Sequence, residues 1–90
     1  MALKFQSLSV SNTSKQYGLD NAKGVTIKND GTADVYFRLF RANEEPAAAT
    51  TAYALLKSTD SPISFADPGG FSAITIITAS STATVRVFYL

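Results

Sequence analysis

Apolar and polar residues alternate with a period of two along most of this chain, the signature of half-buried strands. The strongest runs lie near the C-terminus. Ala73-Ile74-Thr75-Ile76-Ile77-Thr78 and Val85-Arg86-Val87-Phe88-Tyr89-Leu90 are rich in β-branched and aromatic residues, and Ala79-Ser80-Ser81-Thr82 separates them. The pattern predicts a closing hairpin with Ser80-Ser81 at its tip. Ile76 would then face Val85 and Ile74 would face Val87 on one side. On the other side Ala73, Thr75 and Ile77 would face Phe88, Arg86 and Thr84, a half-apolar surface that marks Ile77 and Phe88 as interface candidates. A chain that ends in this strand is expected to have its C-terminus inside the fold.

A second hairpin is predicted from Val25 to Arg41. Asn29-Asp30-Gly31 offers a three-residue turn with Gly at the left-handed position, pairing Val25 with Val35 and Ile27 with Ala33. Val25, Ile27, Ala33, Val35, Phe37 and Leu39 then face inward together. Asp34, Tyr36, Arg38 and Phe40 share the opposite face. Rings on a nominally solvent-facing side need a cover, supplied by the chain's own loop or by a partner.

The remaining segments are shorter. Leu3 to Val10 is a first strand in which a change of side implies a bulge near Ser7. It pairs within the chain or reaches a neighbour as an arm, which makes Leu3 and Phe5 further interface candidates. Ser11 to Lys23 is polar and is expected to be an irregular loop pinned by Tyr17 and Leu19. Ala42 to Ala52 is either a helical turn capped by Asn43 or an extended crossover. Tyr53-Ala54-Leu55-Leu56-Lys57 and Ile63-Ser64-Phe65 are short strands, and Asp67-Pro68-Gly69-Gly70 matches a type II turn. About seven short strands at this spacing indicate an all-β fold, an antiparallel β-sandwich occupying residues 1–90 as one domain, with a small β-barrel as the rival.

Composition narrows the chemistry. The 90 residues contain no Cys and no His, which removes disulfides, thiolate metal sites and the commonest acid–base residue. Eight basic and seven acidic residues are scattered, giving a formal net charge of +1. No basic stripe marks a nucleic-acid surface, and no apolar run approaches the roughly 20 residues of a membrane span. The start, Met1-Ala2-Leu3-Lys4-Phe5, lacks the apolar core of a signal peptide, so the chain is expected to stay in a cytoplasm or be assembled there into a particle. Asn12-Thr13-Ser14 matches a glycosylation sequon, which without a secretion signal reads as an ordinary polar turn.

No constellation points to catalysis. Asp30 and Asp34 flank a turn and Asp60 and Asp67 flank a short strand, and turn Asp usually bonds its own backbone. A Ser nucleophile would have only Lys as its base, and no local motif pairs them. No phosphate loop or calcium loop is present. The chain therefore reads as a non-enzyme, with no catalytic, cofactor or metal residues to assign. Tyr36-Phe37-Arg38-Leu39-Phe40-Arg41 interleaves rings with Arg as single-strand nucleic-acid binders do, but the near-neutral charge favours an ordinary sheet face. A small glycan- or single-stranded-nucleic-acid-binding module is the alternative function.

Three stretches resemble the small all-β structural proteins of tailed-bacteriophage virions. They are Val25-Thr26-Ile27-Lys28-Asn29-Asp30-Gly31 leading into Val35-Tyr36-Phe37, the short Pro62-Ile63-Ser64-Phe65, and Ala73-Ile74-Thr75-Ile76-Ile77 followed by Ala83-Thr84-Val85-Arg86-Val87. The resemblance implies a capsid decoration or cement protein on the virion surface, without cofactor, often a trimer, that binds between subunits of the major capsid protein. A tail, adaptor or fibre-base component fits the same pattern. The expected contact residues are Leu3, Phe5, Tyr36, Arg38, Phe40, Ile77 and Phe88.

Overall fold

The computed structural model of the chain describes residues 3–79 and 81–90. Ser80, half of the expected hairpin tip, lies outside them, as do Met1 and Ala2. Among the described residues six strands form: β1 (Lys4–Val10), β2 (Lys15–Asn29), β3 (Val35–Arg41), β4 (Ala54–Leu56), β5 (Ile63–Thr78) and β6 (Ala83–Tyr89). All pair antiparallel, in the order β1-β6-β2-β5-β3-β4. The fold is all-β.

Two long strands fold this sheet over on itself. β2 has 15 residues and β5 has 16, and both bend at the same level. Residues 15–18 of β2 pair with 73–76 of β5, while 24–27 pair with 63–66, and the register slips on either side of Ala22. On β2 the corner is Asp20-Asn21, with φ of 53° and 56°, a region that Asp and Asn enter more readily than most residues. On β5 it is Asp67-Pro68-Gly69-Gly70. The Asp67 carboxylate accepts the Gly69 N–H at 2.8 Å, and Gly70 has φ 86°. A Cβ on Gly70 would run into the Asn21 carbonyl. The expected type II turn is thus corrected: the left-handed residue is Gly70, not Gly69, and the chain does not reverse. The two strands expected on either side of it are one bent strand.

The result is a sandwich. One layer holds β1, β6, the second half of β2 and the first half of β5. The other holds the first half of β2, the second half of β5, β3 and β4. Alternation aims Leu8, Val10, Val25, Ile27, Val85, Val87 and Tyr89 of the first layer at Val35, Phe37, Leu56, Ile74 and Ile76 of the second, in one core. Each fully buried aliphatic side chain there contributes about 1.5–3 kcal/mol.

Neither predicted hairpin forms. β6 pairs with β1 and β2, and β5 pairs with β2 and β3, so Ile76 and Val85 meet across the core rather than along a ladder. Val25 and Ile27 pair with Tyr89 and Val87, not with β3. Both connections are arches that carry the chain from one layer to the other. An arch keeps the same inward alternation as a hairpin, so period-two patterning identifies the buried face without identifying the neighbour. Asn29, 1% exposed, holds the first arch. Its Nδ2 donates to the carbonyls of Ala33 (2.8 Å) and Leu56 (3.0 Å), and its Oδ1 accepts the Gly31 N–H (2.9 Å). Asp30 adds an N–H to the Thr84 carbonyl and an ion pair to Arg86.

β1 keeps continuous register with β6 from Lys4↔Tyr89 to Val10↔Ala83. The expected bulge at Ser7 is absent: Leu8 and Val10 face the core, and Leu3 and Phe5 face out. Most of the polar segment expected as loop is strand, because backbone pairing with β5 does not require apolar side chains on the outer face. Leu19 is buried and Tyr17 packs partly on the core, so both do pin it. Where β1 meets the first half of β2, side chains lace the layers together. Gln6 Nε2 donates to the Gly18 carbonyl (3.1 Å), Tyr17 OH to the Ser9 carbonyl (3.1 Å), and Lys4 pairs with Asp20 (2.9 Å).

Candidate interaction surfaces

The seven candidate contact residues fall into two groups on opposite outer faces. The first is on the β1–β6 pair. Phe5 stands opposite Phe88, with ring centroids 5.0 Å apart and planes inclined by 42°. Leu3 and Leu90 lie one step beyond Lys4 and Tyr89 and share that outward parity. Leu3 is 62%, Phe5 49%, Phe88 36% and Leu90 48% exposed. Together they form a contiguous exposed apolar patch of the kind that is often functional. The rest of this face is polar: Ser7 opposite Arg86, Lys28 beside Arg86, and Thr26 hydrogen-bonded to Ser64 at 2.8 Å. Leu90 is a member that sequence reasoning does not single out, although its parity with Phe88 carries the signal.

The second group is on the outer face of β3 and β5, where Tyr36 pairs with Ile77, Arg38 with Thr75 and Phe40 with Ala73. Here the chain covers itself. Residues 42–53 cross this face as a strap, extended between two turns: one in which the Arg41 N–H donates to Glu44 Oε1 (2.8 Å), and one closed by the Tyr53 N–H to the Thr50 carbonyl (3.1 Å). Ala49 is buried, and its N–H donates to Ser14 Oγ (2.7 Å), beside the start of β2. Phe40 is 1% exposed. It is therefore not available as an anchor, and the expectation that it reaches a partner is corrected. Tyr36 and Ile77 are half-buried. Arg38 is exposed. Its guanidinium lies 4.7 Å from the Phe40 ring centre and 5.4 Å from that of Tyr53, whose hydroxyl accepts from Nη1 at 3.4 Å. Ile77 and Phe88, which a closing hairpin would have placed on one surface, lie on opposite sides of the sandwich.

Ion pairs secure the margins: Lys4 with Asp20, Arg41 with Asp67, and Arg86 with Asp30. A hydrogen bond and the charge of Asp20 hold the Lys4 ammonium above its ordinary pKa. A groove of about 550 Å³ opens between β3 and the bend of β5, lined by Phe37, Arg38, Leu39, Tyr53, Phe65 and Phe71 among others. No sequence pattern announces it, because it depends on the bend.

Fold and surface define a small antiparallel β-sandwich with one self-covered face and one face bearing an uncovered apolar patch. No protein-family model matches the chain, and no curated protein matches it. Among solved structures the fold is similar to that of the SPBc2 prophage-derived protein YomS, with a TM-score of 0.56 over 99% of this chain and 95% of that one, at 15% identity. At that identity the likeness is one of fold, and it runs end to end.

Proposed function

We propose that this chain is a non-enzymatic structural component of a bacteriophage particle, and specifically a capsid decoration or cement protein seated between major capsid subunits. The observation that carries this reading is the Leu3–Phe5–Phe88–Leu90 patch. Phe5 and Phe88 stand opposite each other on paired strands, flanked by Leu3 and Leu90, at positions where the fold itself would accept polar residues. The prophage origin of a protein with the same fold supports the phage context. Binding would draw its affinity from Phe5 and Phe88 as apolar anchors, with Arg86 and Lys28 on the polar rim. Symmetric copies, three in the arrangement we favour, would bury surface that a lone domain of 90 residues leaves exposed.

Phe88→Lys and Phe5→Lys test this. Both side chains are outward, so the variants should fold with unchanged far-UV circular dichroism and lose binding to expanded capsids. A wild-type chain that stays monomeric at high concentration and leaves expanded capsids bare would overturn the reading. Binding to purified tails but not to shells would move the chain to a tail or adaptor position.

A further inference from the structure

We propose that the groove beside the bend of β5 is a second docking site, and that its occupant is an extended peptide segment of a partner protein that alternates apolar residues and carries a carboxylate. This surface is separate from the β1–β6 patch, and the inference does not rest on the virion reading.

The first argument is the sheet edge. Residues 63–66 hydrogen-bond to β2 on one side, and among the described residues no strand pairs with their other side. An edge of this kind offers N–H and C=O groups to an added strand. Across the groove, residues 38–41 of β3 likewise have, among the described residues, no strand on the side away from β5, because β4 pairs only with 35–37. The remaining edges are protected. β1 is laced to the first half of β2 by Gln6, Tyr17 and Lys4, and β4 is only three residues long. Residues 63–66 are Ile-Ser-Phe-Ala, with no charge and no Pro to blunt the edge.

The second argument is what lies beside that edge. The groove reaches the margin of the core, where Phe37 and Phe65 of opposite layers meet edge-on at 5.8 Å. Leu39 and Phe71 complete an apolar floor. A peptide laid along residues 63–66 would aim every second side chain at this floor, roughly 6.5–7 Å apart. That is the division of labour in strand addition, with affinity from the backbone and specificity from alternate pockets.

The third argument is charge. Arg41 is neutralised by Asp67, and Glu44 is engaged by the Arg41 N–H. Arg38, on the same rim, has no carboxylate partner among the described residues and rests on two rings instead. A guanidinium held in place with unused donors is suited to a carboxylate, which it can bind through two parallel hydrogen bonds.

The test is a titration of the full ¹⁵N-labelled chain with a short synthetic peptide alternating valine and threonine around one central aspartate. Saturable shifts should appear at residues 63–67 and 37–41 and at Tyr53, with slowed amide exchange along 63–66. Arg38→Glu, an exposed change that should leave the fold intact, should weaken the aspartate peptide about tenfold and strengthen its lysine counterpart. The proposal is overturned if millimolar peptide shifts nothing, if the shifts fall on Leu3, Phe5, Phe88 and Leu90, or if Arg38→Glu binds both peptides as the wild type does. Shifts of the groove residues by oligosaccharides but not by peptide would equally remove the peptide as occupant. None of these outcomes bears on capsid binding through the β1–β6 patch.

Discussion

Two buried polar side chains show how single residues are held or left unsatisfied in this sandwich. Asn29 satisfies three backbone groups of the first arch at once. Asn29→Ala would strand two carbonyls, one of them buried, and one N–H, and should cost about 2–4 kcal/mol in urea unfolding. Thr75 is the opposite case. It is 1% exposed under the strap, and its Oγ1 finds no hydrogen-bond partner. Replacing that hydroxyl by a methyl removes an uncompensated polar group at nearly constant volume, so Thr75→Val should be neutral or stabilising by about 1 kcal/mol. A lower melting temperature for Thr75→Val would mean that the hydroxyl has a partner after all. Thr75 sits in an alternation that is legible in the sequence and Asn29 in a legible turn signal, yet neither role is. Thr75 was expected on an outer face, and the strap that buries it comes from a distant segment.

The bent strands decide the architecture, and here the sequence was only half legible. Inward sets such as Val25, Ile27, Val35 and Phe37, or Ile74, Ile76, Val85 and Val87, follow from period two and are buried as expected. Their neighbours do not follow, because arches and hairpins share that period. Asp67-Pro68-Gly69-Gly70 carries strong turn chemistry, but the chain uses it to turn a corner within β5. That corner requires Gly70 twice over, by its φ of 86° and by its contact with Asn21. Gly70→Ala should therefore destabilise by about 2 kcal/mol or more, whereas substitution at Gly69, whose φ is not left-handed, should cost less. Equal losses at the two positions, measured by thermal unfolding, would contradict the corner described here.

For the molecule as a whole, the functional question is which outer face meets a partner. Tyr36, Arg38, Phe40, Ile77 and Phe88 are outward by parity, and Leu3 and Phe5 are candidates as part of an arm; all seven lie on outer faces. What parity does not reveal is that residues 42–53 return over β3 and bury Phe40. Among the described residues the β1–β6 face carries no such cover, and Leu90 joins its patch through its parity with Phe88. The direct measurement for the proposed role is electron cryomicroscopy of phage particles prepared with wild-type protein and with Phe88→Lys. We predict density for a six-stranded sandwich on the shell, with Leu3, Phe5, Phe88 and Leu90 turned toward the major capsid protein, and loss of that density in the variant. A shell with full occupancy by Phe88→Lys, or wild-type copies whose patch faces solvent, would contradict the account.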